Sequence, residues 1–242
     1  MSYSPRTTGT AAAANVPPAQ SVKLPEYFHL VDVRDLIQLI ADMLTRLTIH
    51  NDQIPLNSTT LTRFHSRATP QISLVEYLQR IVRYAQIERI CLLVLLIYID
   101  RICDRRRTFT VCSLTVHRFV ITGFTCASKT LCDSYLTNTM YAKVGGISTK
   151  ELNILELEFL FLIDWHLAAD VEILQTYYVN LVKQHPHYTR IHKPPSSLSS
   201  SSSSSHHHHH HHRPVDHDPG LRVYKPPRAK PGALTSEIEW VD

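Results

Sequence analysis

ERICLLVLLIYIDR, residues 88–101, decides the fold class. Ten consecutive positions, Ile90 to Ile99, carry no charge, and Arg89 and Asp100 bound them. The run is about half of what a bilayer span needs. The reading that remains is a helix from about Glu88 to Arg105, apolar nearly all round and therefore central. The triplet Arg105-Arg106-Arg107 falls at its C-terminal end, where the helix dipole favours cations.

Outward from this helix, the neighbouring segments repeat a helical period. Val33, Leu36, Ile37, Ile40, Leu44 and Leu47 form one stripe, with Asp32 as N-cap of a helix to His50. Asn51 to Thr62 reads as a loop. Ser73 opens a helix striped by Leu74, Leu78, Ile81 and Val82, with Arg80 and Arg83 off the stripe. A helix from about Val111 to Lys129 sets Cys112, Val116, Val120, Gly123 and Ala127 on one side. Small residues there let helix axes approach closely. Gly123 is thus a structural position.

A shorter helix is expected from Asp133 to the Gly145-Gly146 turn. Ser148 and Glu151 have the S-x-x-E spacing of a capping box, opening a helix to about Asp164. A last helix covers roughly Asp170 to Gln184. The fold class is all-α, with about seven helices and no strand showing clean alternation. Residues 1–26 and 193–242 are expected to be unstructured. The first is rich in Ala, Thr, Pro and Ser; the second carries Ser199–Ser205, His206–His212 and a basic run. The His run reads as a native homopolymer rather than a tag, because a long extension follows it, and no function is assigned to it.

Composition narrows the function classes. Hydrophobic residues are 43% of 242, enough for a real core, and the net charge is +4. The basic residues are scattered or lie in the tail (Arg213, Arg222, Lys225, Arg228, Lys230), which argues against direct nucleic-acid binding. The five cysteines are odd in number and lack CxxC spacing, as in reduced thiols of an intracellular protein. No apolar core of a signal peptide occurs in residues 1–20. There is no phosphate loop, HExxH or GxSxG. His185, His187 and His192 are metal ligands by type but lack a supporting cluster, so no metal and no cofactor are expected. The reading is a non-enzyme.

One charge sits in the wrong place. Leu152, Leu155, Phe159 and Ile163 form an apolar stripe, and Glu156 falls on its edge beside Leu160. Ile154, Leu157 and Phe161 occupy the opposite side. Such a helix either crosses the middle of a domain or packs on two partners, one of which is then another chain. A carboxylate there needs a donor. Lys129, ending an equally apolar helix, is the candidate. An internal ion pair and an interface pair both satisfy this pattern.

Several segments together resemble the cyclin box, specifically the P/U-type cyclins related to the fungal phosphate-system cyclin. These are Phe64-His65 with Thr69-Pro70-Gln71-Ile72-Ser73, Tyr98-Ile99-Asp100-Arg101, Val116-His117-Arg118 and Ala127-Ser128-Lys129. They continue with Thr137-Asn138, Tyr141-Ala142-Lys143-Val144-Gly145-Gly146, Glu151-Leu152-Asn153 and Leu155-Glu156. The likeness covers roughly Phe64 to Leu181 and is most specific from Asn138 to Glu156. It implies a single five-helix box over about 70–168, within a cyclin domain at 27–192 that adds an N-terminal and a C-terminal helix.

By that resemblance the chain is a regulatory subunit that binds and activates a cyclin-dependent kinase at its αC helix. The output is the cell cycle or nutrient (phosphate) signalling, in the nucleus, the cytoplasm or both. The docking residues implied are Lys129, Glu156, Leu160 and Asp133. Asp100, Gly123, Ser148 and Glu151 are structural. Many cell-cycle cyclins pair the Asp of the YIDR segment with an Arg of the first box helix. Here the matching place is about Gln71, so Asp100 needs another partner. The rival reading on the same fold is a transcription-factor-like protein or nucleic-acid-binding adaptor. A metal-dependent helical enzyme using the C-terminal histidines is a second rival.

Overall fold

The computed structural model describes residues 21–56 and 60–191. Among these, seven α-helices follow in order: α1 Val33–Asn51, α2 Leu74–Ala85, α3 Arg89–Arg105, α4 Val116–Leu131, α5 Asn138–Gly145, α6 Thr149–Leu162 and α7 Val171–Lys183. Five of them, α2 to α6, fall inside the box, and α1 and α7 flank it. The all-α class holds.

The central position of α3 follows from its sequence. Every residue from Cys91 to Ile99 is buried. Burial of a Leu or Ile side chain is worth about 1.5–3 kcal/mol, so this run anchors the core. α4 packs against α3, α5 and α6, and is itself buried from Val116 to Ser128 except at Arg118. An aromatic cluster fills the space between these helices. Phe119 and Phe159 have ring centroids 5.2 Å apart, and Tyr98 meets Phe159 at 5.6 Å. Phe64 joins from the loop before α2, 5.7 Å from Phe109.

Gly123 sits where α4 crosses α3. A Cβ placed there would lie 2.6 Å from Leu95 Cδ1 and 3.6 Å from Phe159 Cζ, so only glycine fits without displacement.

The helix starts depart from the sequence reading in two places. α4 begins at Val116, not Val111. The Thr115 hydroxyl accepts from the Cys112 amide at 2.8 Å and lies 3.0 Å from the Thr110 carbonyl, which holds 110–115 as a turn. α5 begins at Asn138, not Asp133. Asp133 lies in an exposed bend, and the chain stays non-helical through Thr137, the extended N-cap.

The Ser148–Glu151 box forms by half. The Ser148 hydroxyl accepts from the Glu151 amide at 3.1 Å, but the Glu151 carboxylate pairs with Arg118 of α4 instead of returning to the cap. A complete box occurs at Ser73 and Glu76, where the carboxylate and the hydroxyl each bond the other residue's amide.

A two-stranded parallel ribbon joins β1 Val22–Leu24 to β2 Tyr188–Arg190, with Val22 opposite Tyr188 and Leu24 opposite Arg190. It corrects the expectation that 1–26 is unstructured, since 21–26 is ordered and Leu24 is buried. The Ser/His-rich stretch, His192 and residues 1–20 lie outside the described residues.

Candidate functional site

The YIDR segment works as a clamp on the α6–α7 connection. The Tyr98 hydroxyl donates to the Leu167 carbonyl at 2.9 Å, and Arg101 donates to the carbonyls of His166 and Ala168 at 2.6 and 2.8 Å. Asp100 takes a short hydrogen bond from the Tyr177 hydroxyl of α7, which supplies the partner the sequence left open. Gln71 is exposed and takes no part. Burial raises the Asp100 carboxyl to about 7, against the lowering effect of Tyr177, with the nearby Asp104 adding to the rise. The same burial, with the Asp100 charge beside it, raises the Tyr177 phenol far above its ordinary range.

Arg118 performs a similar task at the other end of the box. It donates to the His65 carbonyl at 2.6 Å and to the Arg63 carbonyl at 3.2 Å, and pairs with Glu151. These motif residues are joints between elements.

Lys129, the candidate donor, meets Glu156. The ammonium lies 2.5 Å from Glu156 Oε1, with side chains 30% and 17% exposed. The second carboxylate oxygen accepts from Asn138 Nδ2 at 2.7 Å, and Asn138 also donates to Asn153 Oδ1. The internal pair is therefore made in the free chain. It also stands at the rim of a surface. Leu160 is half-buried beside it. Asp133 is exposed in the bend that follows α4, in the same loop region as the end of the helix carrying Lys129.

Beyond the pair, α6 presents an uncovered apolar face. Leu157 is 52% and Phe161 61% exposed, and Ile154 adjoins them. A shallow groove of about 400 Å³ runs along this face between Arg63 and Arg106. Trp165, 59% exposed with its ring 6.1 Å from that of Phe161, adds to the exposed apolar surface. Asp164 and Trp165 both adopt left-handed φ, 55° and 61°. That conformation is uncommon for a bulky residue and is held only where the surroundings enforce it. Here the Trp165 amide bonds the Leu160 carbonyl at 3.0 Å, and Asp164 pairs with Arg105 at 3.0 Å.

Sequence reasoning missed Asn138 and Trp165 as site residues. Asn138 had a signal, its place in the most specific stretch of the resemblance. Trp165 had none, since its strained turn depends on Arg105 of another helix.

The histidine reading fares differently. His185 is spent on Asp42 at 2.7 Å, with its side chain 8% exposed. Among the described residues no group of His, Cys, Asp and Glu could hold a metal ion, and no helix is long and apolar enough to cross a membrane.

A family model described as Cyclin matches residues 34–167. The chain is 48% identical over 159 residues to the Nuc-1 negative regulatory protein preg of Neurospora crassa, covering 64% of this chain and 33% of that protein. It is 43% identical over 143 residues to the PHO85 cyclin PHO80 of Saccharomyces cerevisiae, covering 57% of this chain and 49% of that one. To Cyclin-U4-1 of Arabidopsis thaliana it is 38% identical over 152 residues, covering 62% and 75%. The match thus spans a third to a half of the first two relatives and three quarters of the third. With a family match over more than half of its residues and these relatives beside it, the chain belongs to the cyclin family, in its P/U-type branch.

Proposed function

We propose that this chain is the regulatory subunit of a cyclin-dependent protein kinase and docks through α6 beside the kinase αC helix. The observation that carries this is the uncovered face of Leu157 and Phe161 on α6, continued by Trp165, on the same helix that carries Glu156 of the ion pair. Aromatic anchors around a partly desolvated charge pair are what a specific protein interface is built from. Lys129, Glu156, Leu160 and Asp133 are the contact residues of this reading. Relatives are named for PHO85, among them PHO85 cyclin PHO80, PHO85 cyclin-like protein psl1 and PHO85 cyclin-7. A kinase of that kind is the proposed partner, with an output in phosphate signalling or the cell cycle and a site of action in the nucleus, the cytoplasm or both.

The chain supplies no catalytic group. A protein kinase needs its β3 Lys–αC Glu ion pair in place, and αC position controls it. A subunit that binds only the αC-in form shifts the population toward that form. Moving it from 1:99 to 99:1 takes about 5.5 kcal/mol of differential binding. An interface of roughly 1,600 Å² with apolar anchors is large enough to provide that.

The test is affinity purification of the full chain followed by identification and assay of what is bound. A kinase whose activity rises on adding the chain is the expected result. Phosphoryl transfer by the chain after every kinase is removed, or no kinase captured above a bait-free control, would overturn it.

A further inference from the structure

Cys91 and Cys132 are distant in sequence and adjacent in space. Cys91 lies in the first turn of α3 and is fully buried, while Cys132 caps the C-terminus of α4 and is half-buried. Their sulfurs are 3.6 Å apart. The other thiols are placed differently. Cys126 is buried within α4, Cys112 accepts from the Thr115 hydroxyl, and Cys103 faces the Phe109 carbonyl. A disulfide needs sulfurs about 2.05 Å apart, so the pair must close by about 1.5 Å. Cys132 is the residue free to move. It stands outside the helix in extended conformation, and exposed, non-helical residues follow it from Asp133 to Tyr135.

We propose that Cys91 and Cys132 form a dithiol–disulfide couple, oxidised by a hydroperoxide that reacts first at Cys132. Of the two, Cys132 alone has solvent exposure, which sets the order. Its thiolate sulfur attacks one peroxide oxygen and the O–O bond breaks. Cys132 becomes a sulfenic acid, and the leaving hydroxide takes the thiol's proton to form water. The Cys91 sulfur then attacks the sulfenic sulfur. The S–O bond breaks, the S–S bond forms, and the second hydroxide leaves with the Cys91 proton as water. Two thiols and one hydrogen peroxide give one disulfide and two waters.

Burial pushes both thiols upward, and the Glu88 carboxylate adds to the rise at each. Little thiolate is present at neutral pH, so the reduced pair persists until peroxide is sustained. The bridge would tie the start of α3 to the end of α4, one turn beyond Lys129. The reactivity of the pair is independent of what docks beside it.

The full folded chain is exposed to hydrogen peroxide, the peroxide is removed, the chain is unfolded in urea with N-ethylmaleimide to block every remaining thiol, and non-reduced peptides are mapped by mass. The expected result is a peptide joined through Cys91 and Cys132, the loss of two of five blockable thiols and full reversal by dithiothreitol. Cys132→Ser should abolish the joined peptide and leave Cys91 unreacted, whereas Cys103→Ser should change neither. Cys132 ending as a sulfinic acid with Cys91 still free would overturn the couple. So would a joined peptide formed to the same extent by the urea-unfolded chain.

Discussion

Reversing the charge at Glu156 separates the internal role of the Lys129–Glu156 pair from the interface role proposed for it. In Glu156→Lys, Lys129 faces a like charge and Asn138 loses an acceptor at 2.7 Å. A hydrogen bond to a charged group is worth about 1.5–3 kcal/mol when well buried. Exposure of 30% and 17% on the two side chains screens part of that. The loss in the free chain is then about 1–2 kcal/mol, a drop in Tm of roughly 3–6 °C for a domain of this size. Kinase binding should lose more, because reversing a pair desolvated in a complex costs about 2–5 kcal/mol, roughly 30-fold or more in affinity.

The deciding variant is the swap, Lys129→Glu with Glu156→Lys. It rebuilds the internal pair but inverts the charges a partner meets. Thermal unfolding of the free chain should recover most of the Tm, while calorimetric titration with the purified kinase should stay weak. A swap that restores both would show that a partner reads only the rigidity of this corner. A Glu156→Lys chain whose folded fraction binds at wild-type affinity would refute the interface role altogether.

Gly123→Ala should lower Tm by a few degrees, because overpacking against Leu95 costs about 1–3 kcal/mol and the gain in helix propensity returns about 1. Adding Leu95→Val should recover part of it in urea unfolding, and an unchanged Gly123→Ala midpoint would show that Leu95 gives way freely. Asp100 binds its proton more tightly folded, at about 7, than at its ordinary 3.8. Its contribution is therefore greatest below about pH 4, declines through pH 4–7 and is flat above. Asp100→Asn should remove up to about 4 kcal/mol of that decline, and identical pH profiles of urea stability in both proteins would count against the shift. Phe161→Asp and Trp165→Ala should leave the free chain within about 0.5 kcal/mol of wild type, as exposed positions do, and weaken kinase binding tenfold or more. Unaltered affinity in both would move the docking surface off α6.

What the sequence revealed was what is local or periodic. The uninterrupted run at Ile90–Ile99 marked α3, and Asp32, Ser73 and Ser148 each cap the helix they announced. Gly123 and the misplaced Glu156 were legible because a helix wheel fixes which residues share a face, whereas the pairing with Lys129, a candidate donor on another helix, rested on the cyclin resemblance. What escaped depends on meetings across the chain. Asp100 finds Tyr177 on α7, and β1 finds β2 through three residues each, too few for alternation to register. Glu151 carried a correct capping signal, yet its carboxylate is taken by Arg118, because a charged guanidinium outcompetes a cap amide.

The pair's being complete before any partner arrives bears on how docking could work. A carboxylate held by Lys129 and Asn138 has its geometry fixed in advance, so binding need not order it. The pair is also not saturated. An ammonium has three donors, and Glu156 engages one. The Asn138 amide oxygen is buried without a hydrogen-bond partner among the described residues. A partner backbone bringing a carbonyl to this rim would satisfy a second Lys129 donor without breaking the ion pair. Leu157 and Phe161, uncovered on the same helix, would lose water on docking. A partner that instead broke the pair would leave a charge desolvated and unpaired, the arrangement that costs most. The arrangement therefore favours recognition around an intact pair.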